Sequence, residues 1–453
     1  MATPRTGTAE SIVHFLRTPS GRIFSRIWFG QLVSSVGTYL TRFGLAIWVY
    51  ADTGSTMQLS LIVLSGTLPA LVLSPFAGAL VDRWDRRNAM IVADAGAAVG
   101  TAAIAILVGL GSLEMWHLYG ALAFGSAFSA FQFPAYSALA TQLVPKQQLT
   151  RAAALVSLAG SIGLIIGPAF AGALVVTAGL ATLFVIDLAT FAFAVMTLVG
   201  GYVPRSSRTA DGIVGPRTLL REAKDGLGFI IERPGLLALL AIFGVVNAAF
   251  AFADVLLVPI VLSLANETVV GFVISASAFG LLGGSLLMGI WGGSENRARD
   301  LFMGLTGIAL GLAAVGIRPW LPLVVVAITF THIAVPVAFS SNQAIWQSKV
   351  PFDIQGRVFA VRQVFEIAAA PVALLTSGLL AEFVFEPMVE HGSWIAGIVG
   401  KGPGRGTALL LSTMGVIALI ATVVTWRRPS IRSLDTDVPD TDLQAEPIGS
   451  IHL

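Results

Sequence analysis

Leu59 to Val81 reads LSLIVLSGTLPALVLSPFAGALV and contains no charged side chain. A helix of roughly 20 residues spans a hydrocarbon core about 30 Å thick. A membrane-spanning strand needs only about ten residues and alternates apolar with polar side chains. The stretch is too long and too evenly apolar for such a strand, and it therefore predicts a transmembrane α-helix.

Eleven more stretches of this kind are separated by short polar loops. Only helices and closed barrels satisfy their backbone hydrogen bonds in lipid, and the length of the runs favours helices. We expect spans at 24–50, 58–81, 89–110, 114–139, 152–177, 180–202, 236–263, 268–292, 300–317, 320–345, 357–384 and 406–426. The predicted fold class is an all-α membrane protein with twelve transmembrane helices.

The composition agrees with a membrane protein. Of the 453 residues, 55% are hydrophobic and only 11% are charged, whereas a soluble domain carries about 25% charged residues. No cysteine is present, which excludes disulfides and thiolate metal sites. Residues 1–23 are polar and basic without a short apolar core, so we expect no cleaved signal peptide.

Lysine and arginine predict the orientation, because these residues concentrate in the cytoplasmic loops of membrane proteins. With an even number of spans, both termini lie on one side. Of the 27 lysines and arginines, only Arg318, Lys401 and Arg405 then fall on the opposite side, and Arg42 falls within a span. We therefore expect a multi-pass protein of the cell (inner) membrane with both termini in the cytoplasm.

A polar, proline-containing stretch at 203–235 divides the spans into two sets of six. A Val-Pro pair followed by arginine recurs at the same spacing after the fourth span of each set, in Val144–Arg151 and Val350–Arg357. A duplicated six-helix unit requires such a match. The predicted parts are a cytoplasmic N-terminal segment 1–23, a bundle 24–202, a cytoplasmic linker 203–235, a bundle 236–427 and a disordered cytoplasmic tail 428–453.

A charged motif follows the second span, in the order Gly78, Asp82, Arg83, Arg86 and Arg87. It resembles the G-x-x-x-D-R-x-G-R-R loop signature of the major facilitator superfamily, with an aspartate in place of the second glycine. The resemblance implies a gating role for these five residues, as a latch between two halves that breaks when the halves rock. The alternative is that the charges only fix the topology of the loop.

Span five carries a second motif, formed by Gly163, Gly167, Pro168 and Gly172. Small residues permit close helix contact, and a proline inside a membrane helix frees backbone groups and kinks the helix. The motif resembles the G-x-x-x-G-P-x-x-G pattern of superfamily antiporters, with Ala171 and Gly172 at its end. The resemblance favours export over import, and helix packing alone is the alternative.

Two further segments, 133–149 and 342–357, resemble the branch of the superfamily that contains the enterobactin exporter and the macrolide efflux permeases. That branch also includes a lysophospholipid flippase. The resemblance extends over nearly the whole chain. It implies two pseudo-symmetric six-helix bundles (the major facilitator fold) that work by alternating access, and it does not specify a substrate.

Ionisable side chains within spans are informative because each costs roughly 2.5–3.5 kcal/mol at a helix centre. Arg42 lies beyond the middle of span one, and Asp254 lies at similar depth in span seven, the equivalent helix of the other half. We expect them to face each other across a central cavity, as an ion pair or as proton and substrate sites. A static bridge between the halves is the alternative.

Three other side chains within spans are candidates for proton coupling or substrate contact. Glu366 and His332 could carry a coupling proton, and Asn247 could form a hydrogen bond with a substrate. A structural role is the alternative for each of the three. Asp94 and Asp187 also lie within spans, and we expect these two to be structural anchors.

The sequence contains no recognisable catalytic constellation. It has no Walker loop, and its five histidines lack a metal-ligand spacing. We therefore expect no enzyme, no catalytic residue, no metal site and no cofactor. The basic residues flank the membrane spans, so we expect no nucleic-acid partner.

The whole pattern predicts a secondary active transporter. We expect proton-coupled efflux of an amphipathic small molecule (drug, macrolide or siderophore-like) by alternating access. The expected partners are the small-molecule substrate, protons and the lipid bilayer, and the expected state is a monomer. Two alternatives stay open: a lysophospholipid flippase and a non-transporting membrane assembly protein.

Overall fold

The computed structural model describes residues 18–81, 84–145, 148–199, 216–294, 296–391, 396–397 and 399–432. Asp82 and Arg83 of the charged motif lie outside the described residues. So do most of the predicted N-terminal segment, the first part of the linker and most of the C-terminal tail.

The N-terminal half consists, within the described residues, of eight helices joined by short turns. Two of the six predicted spans are interrupted, so each of these appears as two helices. The helices are α1 (Pro19–Thr53), α2 (Thr56–Ser65), α3 (Leu68–Val81), α4 (Arg86–Gly109), α5 (Met115–Ser129), α6 (Gln132–Leu143), α7 (Leu149–Ala178) and α8 (Leu180–Val199).

The C-terminal half repeats this plan after a helix within the predicted linker. Its helices are α9 (Pro216–Ile231), α10 (Pro234–Leu262), α11 (Glu267–Trp291), α12 (Arg297–Ala314), α13 (Leu321–Lys349), α14 (Phe352–Leu380), α15 (Glu386–His391), α16 (Arg405–Trp426) and α17 (Pro429–Arg432). A π-helical turn, Ala381–Phe385, joins α14 to α15.

The predicted all-α membrane fold is confirmed. Ten helices within the described residues are long and apolar enough to cross a membrane. The predicted spans four and nine are the two that differ. Span four is divided into α5 and α6 at Ala130 and Phe131, and α12 carries Arg297, Arg299 and Asp300 in its first turn.

Short polar residues and glycines fix several helix ends. The side chain of Ser55 accepts a hydrogen bond from the Gln58 amide at the start of α2, at 3.1 Å. Asp85 and Asn296 cap α4 and α12 in the same way, at equivalent places in the two halves. Such caps satisfy amide groups that a helix leaves unpaired in its first turn. The helix α1 ends at Gly54, which has φ +64°, a conformation that glycine adopts without a steric penalty.

The Val-Pro repeat occupies the same position in both halves. Val144 ends α6 with φ −106° and ψ 134°, and Val350 ends α13 with φ −105° and ψ 121°. In each case a proline follows, and a proline disfavours the helical conformation of the residue before it. The repeated dipeptide therefore ends the same helix in each half.

The linker helix α9 packs against the C-terminal half. A Cβ atom added at Gly226 would lie 2.8 Å from the carbonyl oxygen of Arg357, near the start of α14. Only glycine permits this close approach of the two backbones.

Candidate functional site

A cavity of about 390 Å³ lies between the two halves. Residues of α1, α2, α4, α5, α7 and α8 line it from one side, and residues of α10, α11 and α13 line it from the other. Its wall is largely apolar and includes Phe43, Phe191 and Phe250. An apolar cavity with a few polar groups is the usual form of a small-molecule site.

Arg42 from the N-terminal half and Asp254 from the C-terminal half both line this cavity, together with His332. Arg42 and His332 are the charged or titratable groups that act electrostatically on Asp254. The side chains of Arg42 and Asp254 are exposed to the cavity. Among the ion pairs formed by described residues, none joins Arg42 to Asp254. The geometry favours two separate charges facing one cavity over a closed bridge.

The ring of His332 is held on two sides. Its Nδ1 atom lies 2.9 Å from the carbonyl oxygen of Ile328. Its ring meets the ring of Phe250 edge to face, with the two ring centroids 6.2 Å apart, within the range of about 4.5–7 Å typical of such pairs. These contacts fix the position of the imidazole in the cavity wall. They leave its role in proton coupling as a prediction.

Asp187 also lines the cavity, although the sequence indicated only an anchor there. Its side chain is almost fully buried, at 2% exposure. Thr101 Oγ1 donates to one carboxylate oxygen at 3.3 Å, and the other oxygen, Oδ1, is buried. Thr38, Thr41 and Arg42 line the cavity and lie three and four residues apart, so they share one face of α1. This spacing could have identified that face as the polar part of the cavity wall.

Asp94 lies outside the cavity lining, in a buried polar cluster. Gln31 and Gln132 donate to its two carboxylate oxygens at 2.9 and 2.8 Å. Gln132 also donates to the side-chain oxygen of Gln31 at 3.1 Å. The cluster joins α1, α4 and α6, as a structural anchor would.

Glu366 and Asn247 are not among the residues that line the cavity. Glu366 accepts from Arg362 Nε at 2.7 Å, and Arg362 also donates to Gln343 at 2.9 Å. Asn247 donates to the carbonyl oxygen of Phe243, one turn earlier in its own helix, at 2.9 Å. Both polar groups therefore bind protein partners away from the cavity.

The described part of the charged motif binds within the N-terminal half. Arg86 donates to the carbonyl oxygen of Ala138 at 2.8 Å. Arg87 donates to the carbonyl oxygens of Leu198 and Val199 at 2.8 and 2.7 Å. A Cβ atom at Gly78 would meet no atom of the described residues within 4 Å. A latch between the halves stays a prediction for this motif.

The glycine motif of α7 makes contacts on two sides. Cβ atoms at Gly163 and Gly167 would press on α1, the second at 2.7 Å from the Leu40 amide nitrogen. A Cβ atom at Gly172 would clash with the carbonyl oxygen of Glu267, at the start of α11. The first two glycines thus pack the N-terminal half, and Gly172 joins the two halves.

Pro168 lies in the same interface between α7 and α11. A Cβ atom at Gly271 of α11 would clash with the carbonyl oxygen of Pro168. Ser275 of α11 donates to the carbonyl oxygen of Ile165 at 2.6 Å.

A second interface between the halves joins α2 to α14. Ser60 donates to the carbonyl oxygen of Leu374, and a Cβ atom at Gly378 would lie 2.8 Å from Cα of Met57. Gly172 and Gly378 lie near the C-terminal ends of α7 and α14. Both helices begin at the end of the molecule that holds the chain termini. Both interfaces therefore lie at the end of the molecule away from the termini, which we call the far end.

Comparison with known proteins agrees with this architecture. The family model described as Major Facilitator Superfamily matches residues 27–366. Macrolide efflux protein A of Streptococcus pyogenes is 29% identical over 365 residues, which cover 79% of this chain and 89% of that protein. Multidrug efflux pump Tap of Mycobacterium bovis is 26% identical over 442 residues, which cover 94% of this chain and 97% of that protein.

Solved structures show the same fold. The nucleoside transporter NupG superposes with a TM-score of 0.71 at 11% identity, over 89% of this chain and 100% of that chain. A bacterial homologue of the human lysosomal transporter Spinster superposes with a TM-score of 0.67 at 12% identity, over 90% and 96%. Because the family model matches most of the chain, the protein belongs to the major facilitator superfamily of membrane transporters.

Proposed function

We propose that the protein exports an amphipathic small molecule across the cell membrane in exchange for protons. The observation that carries the proposal is the cavity between the halves, whose apolar wall holds Arg42 and Asp254, one from each half. Its volume of about 390 Å³ falls in the range of about 300–1,000 Å³ typical of small-molecule sites. The efflux proteins among its relatives support export as the direction.

The arrangement of the interfaces supports alternating access. The contacts of α7 with α11 and of α2 with α14 close the far end. If the termini are cytoplasmic, as the positive charges predict, the far end faces the exterior, and the substrate enters the cavity from the cytoplasm. Export then requires these two interfaces to separate while the halves close at the other end.

Asp254 is our candidate for the coupling proton. An ionised Asp254 attracts Arg42 across the cavity, and a bound proton removes that attraction. Proton binding and release therefore change the energy of bringing the halves together. Entry of one proton into the cell releases about 2.3 kcal/mol per 100 mV of membrane potential. This free energy drives export without nucleotide hydrolysis.

Transport by purified protein in proteoliposomes tests the proposal. With an imposed pH gradient, radiolabelled erythromycin should move opposite to the protons. Asp254→Asn should abolish the gradient-driven part of this movement. Asp52→Asn is the matched control, because Asp52 is exposed at the end of α1 and does not line the cavity.

Two outcomes would contradict the proposal. If erythromycin, ethidium and a siderophore all fail to move under a pH gradient of either sign, the protein is not an exporter of this class of molecule. Movement of spin-labelled lysophosphatidylcholine between leaflets, without movement of these solutes, would favour a flippase instead.

A further inference from the structure

Two glutamates at the far end of span eleven each bind the N-terminus of another helix. Glu382 Oε2 accepts from Ser55 Oγ at 2.7 Å and from the Met57 amide at 3.0 Å. Glu386 Oε1 accepts from the amide and the hydroxyl of Thr407, at 2.8 and 2.7 Å. The first contact joins the C-terminal half to α2 of the N-terminal half. The second stays within the C-terminal half.

The start of α2 favours a negative charge. Amide groups in the first turn of a helix lack helical partners, and the helix dipole places a partial positive charge there. The first turn of α2 contains no acidic residue of its own. Glu382 supplies that charge from the other half, through hydrogen bonds that a carboxylate makes stronger.

The π-helical turn explains how the two glutamates reach different helices. In a regular α-helix, residues four apart lie on one face. Here residues 381–385 form a π turn, in which the Glu386 amide bonds to the carbonyl oxygen of Ala381. This wider turn separates the directions of the two carboxylates. Single π turns inside helices often occur at functional positions.

The contact lies within the interface that closes the far end. On the preceding turns of the same span, Gly378 approaches Met57 and Leu374 accepts from Ser60. Both are contacts of uncharged groups. Glu382 adds to this interface a contact whose strength depends on charge.

We propose that Glu382 is a gate residue, whose carboxylate holds the far end closed by binding the start of α2 across the two halves. The inference rests on the proposed alternating-access cycle and names a residue that sets the balance between the closed and open far end. Breaking this contact is then part of every transition that opens the cavity on that side.

Glu382→Gln tests the gate, with Glu386→Gln as the matched control. Since the chain has no cysteine, Ala51→Cys and Glu390→Cys can carry spin labels on the exposed far ends of the two halves. Double electron–electron resonance then measures the distance between the labels. Loss of the charge at Glu382 should raise the ratio of open to closed molecules roughly fivefold, whereas Glu386→Gln should leave the distance distribution unchanged.

Ser55→Ala provides a second variant that keeps the carboxylate. It removes one of the two hydrogen bonds to Glu382 and also the cap of the Gln58 amide, and it should shift the distances in the same direction, by less. An unchanged distribution in both Glu382→Gln and Ser55→Ala would overturn the gate. Equal shifts in Glu382→Gln and Glu386→Gln would also overturn it, because the effect would not depend on the contact between halves.

The distance measurement separates this inference from the exporter proposal. A shift of the distance distribution with Glu382→Gln, in a protein that moves no solute, would support the gate and contradict the exporter proposal. Solute export without any shift of the distances would support the exporter proposal and contradict the gate.

Discussion

Two charged residues in the cavity wall are the main candidates for a role in transport. Arg42 and Asp254 lie in the wall of one cavity, where each charge is costly unless it is used or compensated. Their similar depth in equivalent spans is the basis of the prediction that they face each other across this cavity. The direction of Asp187 towards the same cavity could not be predicted, because depth along a span does not give the angle around the helix.

Mutation of the two cavity charges tests whether they act together. Arg42→Ala and Asp254→Ala should each reduce gradient-driven transport by about tenfold or more, since each removes a charge that faces the substrate path. If they act on each other, the double variant should be no worse than the poorer single variant. Rates of the three variants in proteoliposomes check this, and simple additivity would contradict the pairing.

Removal of the buried carboxyl at Asp94 should destabilise the N-terminal half. Asp94→Leu leaves the buried amide donor of Gln31 without its acceptor and removes one of the two acceptors of Gln132, and a buried donor left unpaired costs about 1–3 kcal/mol. Thermal unfolding in detergent should show a lower midpoint than for Asp52→Leu, an exposed control. Replacement of all three residues by leucine should recover part of the loss. An unchanged midpoint in Asp94→Leu would show that the cluster contributes little.

At the scale of the helices, sequence predicted which elements exist better than which surfaces they share. The glycines of α7 indicated close packing, but their spacing did not show that Gly163 and Gly167 face α1 while Gly172 faces α11. The interruption of span four was also missed. Pro134 lies in the first turn of α6, where proline is tolerated because its missing amide hydrogen has no helical partner there, so it could have indicated a helix start.

The helix contact at Gly172 should be required for closure of the far end. Gly172→Val places side-chain atoms against the backbone of Glu267 and should reduce transport by about tenfold or more, because the halves cannot meet there. Gly160→Val is the matched control on the same helix, since a Cβ atom at Gly160 meets no atom of the described residues within 4 Å. Equal transport by the two variants would show that the contact at Gly172 is dispensable.

The molecule as a whole follows from two signals in the sequence: the repeated apolar spans and the duplicated Val-Pro pair. These signals predict two similar bundles but contain no information about how the bundles meet. That arrangement depends on the close helix contacts at Gly172 and Gly378 and on the hydrogen bond of Ser275, which join residues far apart in the chain. The charge pattern predicts the orientation in the membrane separately.

Cysteine labelling in intact cells tests that orientation. Trp84→Cys and Lys401→Cys each place one thiol at an exposed position in a chain that has none of its own. A membrane-impermeant maleimide should label position 401 from outside and position 84 only after the cells are permeabilised. Labelling of position 84 in intact cells would reverse the predicted orientation and the proposed direction of transport.

The linker helix α9 packs on the start of α14 through Gly226. Because this contact joins backbone to backbone, α9 should turn together with the C-terminal half as one rigid unit. A soluble protein that bound α9 would therefore restrain the movement of the C-terminal half only. Regulation from the aqueous compartment could then slow turnover without any inhibitor entering the membrane.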